Sequence, residues 1–210
     1  MRLFHLSHTD LDGHSCQLLT HRLFPTAKYY NANYGNEVTA KLKLIAHDIF
    51  TTAKKNEKIL LLITDLNLTT IECQFINTEC EKLSNFGFNL TLQLLDHHIS
   101  GAEQAKSHSW YKLDISKSAT LLTFEYLQAN FKEFSPDETL KQYVQAVNAI
   151  DLWLENEESF EFGKVLMRLT SEAKEVNKMM FADEHAAYRI SVLNEAAKLV
   201  VSDPQEAHII

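Results

Sequence analysis

Short apolar runs alternate with amphipathic stretches along the first half of the chain. The runs that predict buried strands lie at residues 2–7, 28–32, 58–64 and 90–95. The helices predicted between them lie at residues 13–23, 38–53 and, after the capping residues from position 67, up to residue 85. This β-α-β-α-β-α-β order predicts an α/β fold with a mostly parallel sheet flanked by helices.

The pattern changes in the second half of the chain. One more strand is predicted at residues 110–113, and only helices follow it. They are expected at residues 118–131, 136–149, 160–169 and 185–201. Ser135-Pro136-Asp137-Glu138 predicts a capping box with Ser135 as the cap and proline in the first helical position. We therefore expect a helical C-terminal half and a linker from residue 202.

Composition restricts the classes of partner. The chain has 210 residues, 45% of them hydrophobic, which is enough for one large domain. Its net charge of −8 does not suit the non-specific phosphate contacts that hold long duplex nucleic acid. A short phosphorylated substrate still fits, because bound divalent cations reverse the local charge.

Cysteine usage and hydropathy bear on the compartment. The three cysteines show no CxxC spacing, and no signal peptide precedes the first strand. We therefore expect reduced thiols and a cytoplasmic location. No apolar run approaches the roughly 18 residues that a membrane span needs, so no membrane partner is expected.

Acidic and imidazole side chains follow three of the predicted strands. The first strand leads into His8-Thr9-Asp10-Leu11-Asp12-Gly13, the third into Asp65, and the fourth into Asp96-His97-His98. The carboxyl ends of parallel strands meet at one edge of a sheet, where open α/β folds place their sites. Carboxylates and imidazoles are the hard and borderline ligands that suit Mg or Mn. In an extended strand end, Asp10 and Asp12 would face the same site, with Gly13 turning the chain into the helix.

Each of these residues alone has a structural interpretation. Asp10 or Asp12 would most simply cap a helix, Asp65 could cap the helix after it, and Asp96 could be a turn residue. His97 alone would be a surface histidine. Three independent coincidences at strand ends are needed to explain all of them in this way, so the pattern favours a site.

The motifs resemble those of a known family. His8-x-Asp10-x-Asp12-Gly13, Asp65 and Asp96-His97-His98 look like the first three motifs of the DHH phosphoesterase superfamily, and Asn148-Ala149-Ile150-Asp151-Leu152-Trp153 is similar to the fourth. The resemblance covers about residues 2–170 and is closest to the oligoribonuclease (nanoRNase) group. It implies a DHH-type catalytic lobe.

The resemblance also implies a ligand set for two divalent ions, with Mn preferred and Mg possible. One ion would be bound by His8, Asp10 and Asp65, and the other by Asp12, Asp65, His97 and Asp151. Asp65 would bridge the two. A water shared by the two ions would attack phosphorus in line.

Catalytic and substrate roles follow from the same resemblance. His98 would contact the scissile phosphate or its leaving group, and Asp96 would orient an imidazole. Lys117 and the amides near Ser118 are further candidates for a phosphate contact, although an ordinary helix cap with a solvated lysine is the favoured interpretation. Trp153 is interpreted as a core residue rather than a base-stacking platform.

The resemblance implies a metal-dependent phosphodiesterase acting on short oligoribonucleotides or related nucleotide phosphoesters. The alternatives are a cyclic-dinucleotide phosphodiesterase, a nucleoside bisphosphate phosphatase, an inorganic pyrophosphatase and a non-catalytic, metal-binding regulatory lobe. Residues 1–201 are expected to form the catalytic domain. Residues 202–210 would begin a linker to a C-terminal substrate-binding lobe, because no glycine-rich, basic signature of such a lobe occurs here.

Overall fold

A computed structural model describes the backbone of residues 1–180 and the side chains of residues 1–170. The strands are β1 (Arg2–Ser7), β2 (Lys28–Asn31), β3 (Lys58–Thr64), β4 (Asn89–Asp96) and β5 (Tyr111–Leu113). The helices are α1 (Leu11–His21), α2 (Asn36–Thr52), α3 (Thr70–Asn85), α4 (Ala102–Ser107), α5 (Ala119–Asn130), α6 (Glu138–Asp151) and α7 (Phe160–Met180). A single 3-10 turn at Ile99–Gly101 precedes α4. The chain is therefore α/β, with a helical C-terminal part, as the sequence predicts.

The five strands form one parallel sheet in the order β2-β1-β3-β4-β5. The chain moves outward to β2 and then returns past β1 to β3, so the strand order reverses between β1 and β3. Open parallel sheets bind ligands outside the carboxyl ends of the strands at such a reversal. The topology thus brings the residues after β1, β3 and β4 to one crevice.

Helices cover both faces of the sheet. On one face, Phe4, Leu61 and Ile63 belong to a core cluster with residues of α2 and α3. On the other, Leu3, Leu62 and Leu95 pack with residues that include Leu122 of α5. The strand residues alternate between the two clusters because successive side chains of a strand point to opposite faces. Burial on both sides explains the unbroken apolar run from Ile59 to Ile63 in β3.

A second core joins the helical part to the sheet. Leu18 of α1, Leu127 of α5, Val144 of α6 and Leu166 of α7 belong to one buried cluster. This cluster fixes α6 beside α1, so the C-terminal end of α6 reaches the crevice at the edge of the sheet.

Several helix boundaries differ from prediction. α1 begins at Leu11, directly after Asp10, so Asp12 lies in its first turn and not in an extended strand end. The capping box at Ser135 is wrong: Asp137 is the N-cap of α6, and its side chain accepts the Leu140 amide. The Asp137 carboxylate is a strong cap, and it lies two residues beyond the predicted one.

Other predictions concern elements that were missed or that are not described. The short helix α4 was not predicted, because six polar and small residues carry no helical periodicity. The helix expected at 185–201, the linker expected from residue 202 and the domain boundary at 201 lie outside the described residues. Within the described part of the chain, no helix is both long and apolar enough to cross a bilayer.

Candidate metal centre

The carboxyl edge of the sheet gathers acidic and imidazole groups into three overlapping sets. In each set, one ligand atom per residue lies within 4.8 Å of the others. The sets are His8, Asp10 and Asp65; Asp12, His97 and Asp151; and Asp65, His97 and His98. All six predicted metal-binding residues are present in these sets, so the structure brings the whole predicted ligand group together.

The first set lies at the β1–α1 connection. Asp10 is the N-cap of α1 and accepts the Gly13 amide with Oδ1 at 2.9 Å, which leaves Oδ2 at 2.7 Å from His8 Nδ1. Asp65 Oδ2 lies 3.7 Å from the same His8 nitrogen. The helix-cap interpretation of Asp10 is thus correct for one oxygen, while its second oxygen faces the candidate site.

The position of His8 depends on its neighbours. A Cβ atom at residue 13 would lie 2.5–2.8 Å from the His8 backbone, so only glycine permits this approach. Gly13 lies in the first turn of α1, where it lets the helix pack against the His8 backbone. The helix begins two residues before it, so the prediction that the chain turns into the helix at Gly13 is wrong. The Asn31 side-chain amide donates to the His8 carbonyl at 3.0 Å. β2, β1 and α1 together hold His8 in place.

Asp12 is the most firmly held residue of the second set. Its Oδ2 accepts the Ala119 amide at 2.7 Å and its Oδ1 accepts the Thr120 amide at 2.8 Å. The first turn of α5 thus presents two backbone donors to a carboxylate that is almost completely buried. Asp12 Oδ2 still lies 3.7 Å from His97 Nε2.

Asp151 completes the second set from the last turn of α6. Its Oδ2 is 3.5 Å from His97 Nε2. The Tyr143 hydroxyl, on the same helix, hydrogen-bonds the Ser15 hydroxyl of α1 at 2.6 Å. This buried contact and the apolar packing around Val147 join α6 to α1, so that Asp151 meets residues that lie far from it in sequence.

Asp65 lies between the two sets. Oδ1 is 3.4 Å from His97 Nε2, and Oδ2 is 3.7 Å from His8 Nδ1. Its backbone has φ 56, the left-handed region that costs energy for residues other than glycine and is concentrated at functional sites. Oδ2 is buried and lacks a hydrogen-bond partner. A buried acceptor without a donor is destabilising, and a cation would satisfy it.

The electrostatics of the cluster favour cation binding. Burial, and then repulsion from Asp10 and Asp12, raises the pKa of Asp65 well above its ordinary value. Burial likewise raises the pKa of Asp12, and burial together with the charges of Asp12 and Asp10 raises the pKa of Asp151 to about 8. Burial lowers the pKa of His97 and so favours the neutral, ligating imidazole. A bound divalent cation would offset this repulsion.

The donor set fits hard divalent cations. It contains carboxylate oxygens and imidazole nitrogens and, among the described residues, no thiolate. Ligands on opposite sides of an octahedral ion at 2.0–2.1 Å are about 4.2 Å apart, and the atoms of each set are gathered on this scale. The chemistry and spacing of the donors are compatible with Mg or Mn.

Asp96 holds His98, which answers a question that the sequence leaves open. Asp96 Oδ1 is 2.7 Å from His98 Nδ1 and also accepts the backbone amides of His97 and His98. Nδ1 therefore carries a proton. Nε2 lies 3.1 Å from the Tyr34 hydroxyl. The hydrogen bond to Asp96 raises the pKa of His98.

Tyr111 and Gly101 support the Asp96 carboxylate. The Tyr111 hydroxyl donates to Asp96 Oδ2 at 2.5 Å. A Cβ atom at Gly101 would collide with this hydroxyl, so the 3-10 turn can pass here only with glycine. Neither residue was predicted to support the site. The glycine three residues after His98 was the available signal.

Tyr34 is a further site residue that the sequence analysis missed. Its hydroxyl lies 3.1 Å from His98 Nε2, its ring centroid is 5.0 Å from that of His8, and it is 43% exposed. Tyr34 follows β2 by three residues. Since all strands are parallel, residues after β2 also reach the carboxyl edge, and that topology was the available signal.

The predicted substrate contacts at Lys117 and Ser118 have protein partners. Lys117 Nζ lies 2.7 and 2.8 Å from the two carboxylate oxygens of Glu125. The Ser118 hydroxyl caps α5, and its amide donates to the Asn148 side chain at 2.9 Å. These contacts agree with the helix-cap interpretation, and a phosphate contact at either residue stays a prediction.

Comparison with known proteins finds chains that are similar to this one. No family model matches. A 3′,5′-cyclic-nucleotide phosphodiesterase from Helicobacter pylori (strain ATCC 700392 / 26695) is 40% identical over 197 residues, which are 93% of this chain and 56% of the relative. The crystal structure of an uncharacterized protein from Helicobacter pylori G27 has a TM-score of 0.87 and 38% identity, and the match covers 94% of this chain and 57% of that one. The chain is thus a homologue of a curated phosphodiesterase and spans little more than half of its length.

Proposed function

We propose that this chain is the catalytic part of a metal-dependent phosphodiesterase that hydrolyses 3′,5′-phosphodiester bonds of nucleotides. The observation that supports this most strongly is the position of Asp65, whose two oxygens face two separate ligand sets. Two-metal phosphoesterases need such a shared carboxylate. The name of the curated relative supports the same reaction class.

Two divalent ions, Mn or Mg, are part of the proposal. His8, Asp10 and Asp65 would hold one, and Asp12, Asp65, His97 and Asp151 the other. When bound, the ions would activate a water and offset the negative charge of the phosphoryl oxygens. The four stretches that resemble the DHH superfamily supply every one of these ligands, and membership of that superfamily is included in the proposal.

The chain's own groups position the reactants. Asp12 is fixed by two amides of α5 and cannot easily rotate away from the site. His98 is held by Asp96 through Nδ1, and in this proposal its protonated Nε2 would donate a hydrogen bond to the leaving oxygen. Leu95 and the other apolar residues beneath exclude water from the inner side of the cluster.

Two substrate classes share the bond that we propose is cleaved. The motif resemblance favours short oligoribonucleotides, and the name of the relative favours 3′,5′-cyclic nucleotides. Both present a phosphodiester between the 3′ and 5′ oxygens of ribose, so one pair of ions and one imidazole would serve either. Cyclic dinucleotides, nucleoside bisphosphates and pyrophosphate are the remaining alternatives.

A substrate panel with Mn tests the proposal. The panel contains pApA, 3′,5′-cyclic AMP, cyclic di-AMP, 3′-phosphoadenosine 5′-phosphate and pyrophosphate, each with excess chelator as the blank. We expect chelator-sensitive release of a nucleoside monophosphate from pApA or 3′,5′-cyclic AMP. Asp12→Asn should abolish this release and His47→Ala should not, because His47 lies on α2 away from the ligand sets. If Mn binds but no member of the panel is hydrolysed, the chain is a metal-binding regulatory lobe and the proposal is wrong.

A further inference from the structure

Trp153 is not the core residue that the sequence predicts. It is 60% exposed, and Leu154 beside it is 38% exposed. Phe160 and Phe162, by contrast, pack in the helical core. A large aromatic side chain is thus mostly in water two residues after the candidate ligand Asp151.

The backbone at Trp153 is strained. α6 ends in a Schellman motif, in which the Trp153 amide donates to the Ile150 carbonyl at 3.2 Å and the Leu154 amide to the Ala149 carbonyl at 2.8 Å. The motif requires a left-handed residue, usually glycine, and Trp153 has φ 55. A bulky residue in this conformation is an outlier. The exposed indole thus occupies a position that the fold alone would assign to glycine.

The indole is held in one orientation. Its Nε1 donates to Glu155 Oε1 at 2.7 Å. Its ring meets the buried Phe160 ring in a T-shaped contact with 5.3 Å between centroids. These two contacts limit rotation of the side chain while most of it stays in solvent. An exposed but oriented aromatic ring is pre-organised for stacking.

Trp153 lies beside the candidate metal centre. It follows Asp151 by two residues, so its Cα lies at most about 7 Å from that of Asp151. Asp151 belongs to one ligand set, while Tyr34, another exposed aromatic, contacts His8 of a second set. A nucleotide whose phosphate is at the centre has its base within a few ångströms of the phosphate, on the scale of the Asp151–Trp153 separation.

We propose that Trp153 is the nucleobase platform of this site, on which a base adjoining the scissile phosphodiester stacks. The inference rests on the proposed function, since the phosphate must bind at the metal centre for its base to reach the indole. Stacking uses the π-face common to every base, so the platform selects nucleotides without selecting their sequence. Such a platform suits a hydrolase that acts on nucleotides or short oligonucleotides whatever their bases.

A binding experiment tests the platform without catalysis. The chain contains two tryptophans, so Trp110→Phe leaves Trp153 as the one indole fluorophore. With Mn present, AMP should quench this emission saturably, and ribose 5-phosphate, which lacks a base, should not. The difference between the titrations of the unaltered chain and of Trp153→Phe gives the same information if Trp110→Phe does not fold. Emission that AMP leaves unchanged overturns the proposal.

A kinetic experiment separates stacking from positioning of Asp151. Thymidine 5′-(p-nitrophenyl phosphate) and methyl p-nitrophenyl phosphate share a leaving group and differ in the nucleoside. Trp153→Ala should raise KM for the nucleoside ester roughly 5- to 150-fold, the range measured for removing one stacking aromatic. Trp153→Phe should stay within a few-fold, and kcat/KM for the methyl ester should change less than twofold in both variants.

Phe86→Ala is the matched control, because Phe86 is also more than half exposed but precedes β4 at the opposite edge of the sheet. Phe86→Ala should change neither KM nor kcat/KM for either ester. If Trp153→Ala lowered kcat/KM equally for both esters, the indole would only support the loop that carries Asp151. That result would overturn the proposed platform. If the unaltered chain hydrolyses neither these esters nor any member of the substrate panel, the proposed function fails, while the AMP titration still decides the platform.

Discussion

Asp65→Asn tests the shared ligand most directly. Asparagine has the shape of aspartate and tolerates the left-handed backbone of this position, so the fold should accept it. The substitution removes a buried carboxylate whose pKa is raised well above its ordinary value, first by burial and then by neighbouring aspartates. The metal-free variant should therefore be at least as stable as the unaltered chain, while its response to Mn should be much weaker.

The expected loss of stabilisation by Mn follows from the linkage between metal binding and folding. At a Mn concentration of 100 times Kd, a single site stabilises the folded chain by about 2.7 kcal/mol. Loss of a residue that only supports a ligand weakens metal binding by up to about 100-fold, and Asp65 faces both ligand sets directly. A 100-fold weaker site at the same Mn concentration stabilises by about 0.4 kcal/mol. For a chain of this size, the difference lowers the Mn-induced rise in Tm by about 5–9 °C.

Scanning calorimetry with chelator and with Mn measures both quantities. Asp114→Asn provides the control, because Asp114 follows β5 at the same edge of the sheet but accepts hydrogen bonds from Ser116 and belongs to none of the three ligand sets. It should keep the full Mn-induced shift. If Asp65→Asn also keeps that shift, or still retains two ions per chain by elemental analysis, Asp65 does not bridge two metals and the reasoning is refuted.

Three further predictions concern catalysis, pH and chain length. His97→Ala should lower the number of Mn ions bound per chain, whereas His98→Ala should keep them and lower kcat; equal metal loss by elemental analysis would show that the two roles are misassigned. Because burial and nearby carboxylates raise the pKa of Asp151 to about 8, the folded, metal-free chain holds a proton that the unfolded chain releases above pH 4. Its stability relative to Asp151→Asn should fall between pH 4 and 8, by at most about 1.4 kcal/mol per pH unit, and urea unfolding in chelator that gives a constant difference would contradict this. Finally, the 210-residue chain should hydrolyse dinucleotides with a lower kcat/KM than a longer chain bearing a substrate-binding lobe, and equal values would show that such a lobe is dispensable.

The local pattern of apolar residues was sufficient to predict the sheet. β1 and β3 begin and end where the sequence predicts. β3 carries the unbroken apolar run of a strand buried on both faces, and β1 has apolar residues on both sides of the buried His5. Parallel order then brings the residues after β1, β3 and β4 to one edge. The gathering of Asp10, Asp65 and His97 at that edge could therefore be predicted from strand positions alone.

Local patterns were insufficient where two nearby residues could each serve as the N-cap of a helix. Ser135 and Asp137 both have the chemistry of an N-cap, and the sequence offers no measure of which one the tertiary packing of α6 selects. Burial was equally undetermined at Trp153: aromatic residues near an apolar segment are usually buried, but the Schellman turn directs this one to solvent.

The sequence by itself determined which chemical groups reach the site, and only the tertiary structure decided what each one contacts. Asp12 is fixed by amides of α5 that lie 107 and 108 residues away, and no local pattern encodes that distance. Asp96 could orient either adjacent imidazole, and the choice of His98 depends on the backbone turn after β4 and on the Tyr111 hydroxyl. Strand positions can be predicted because the hydrophobicity of a side chain is a property of each residue. Partner choice depends on the relative positions of elements distant in sequence, which are set by the packing of the whole core.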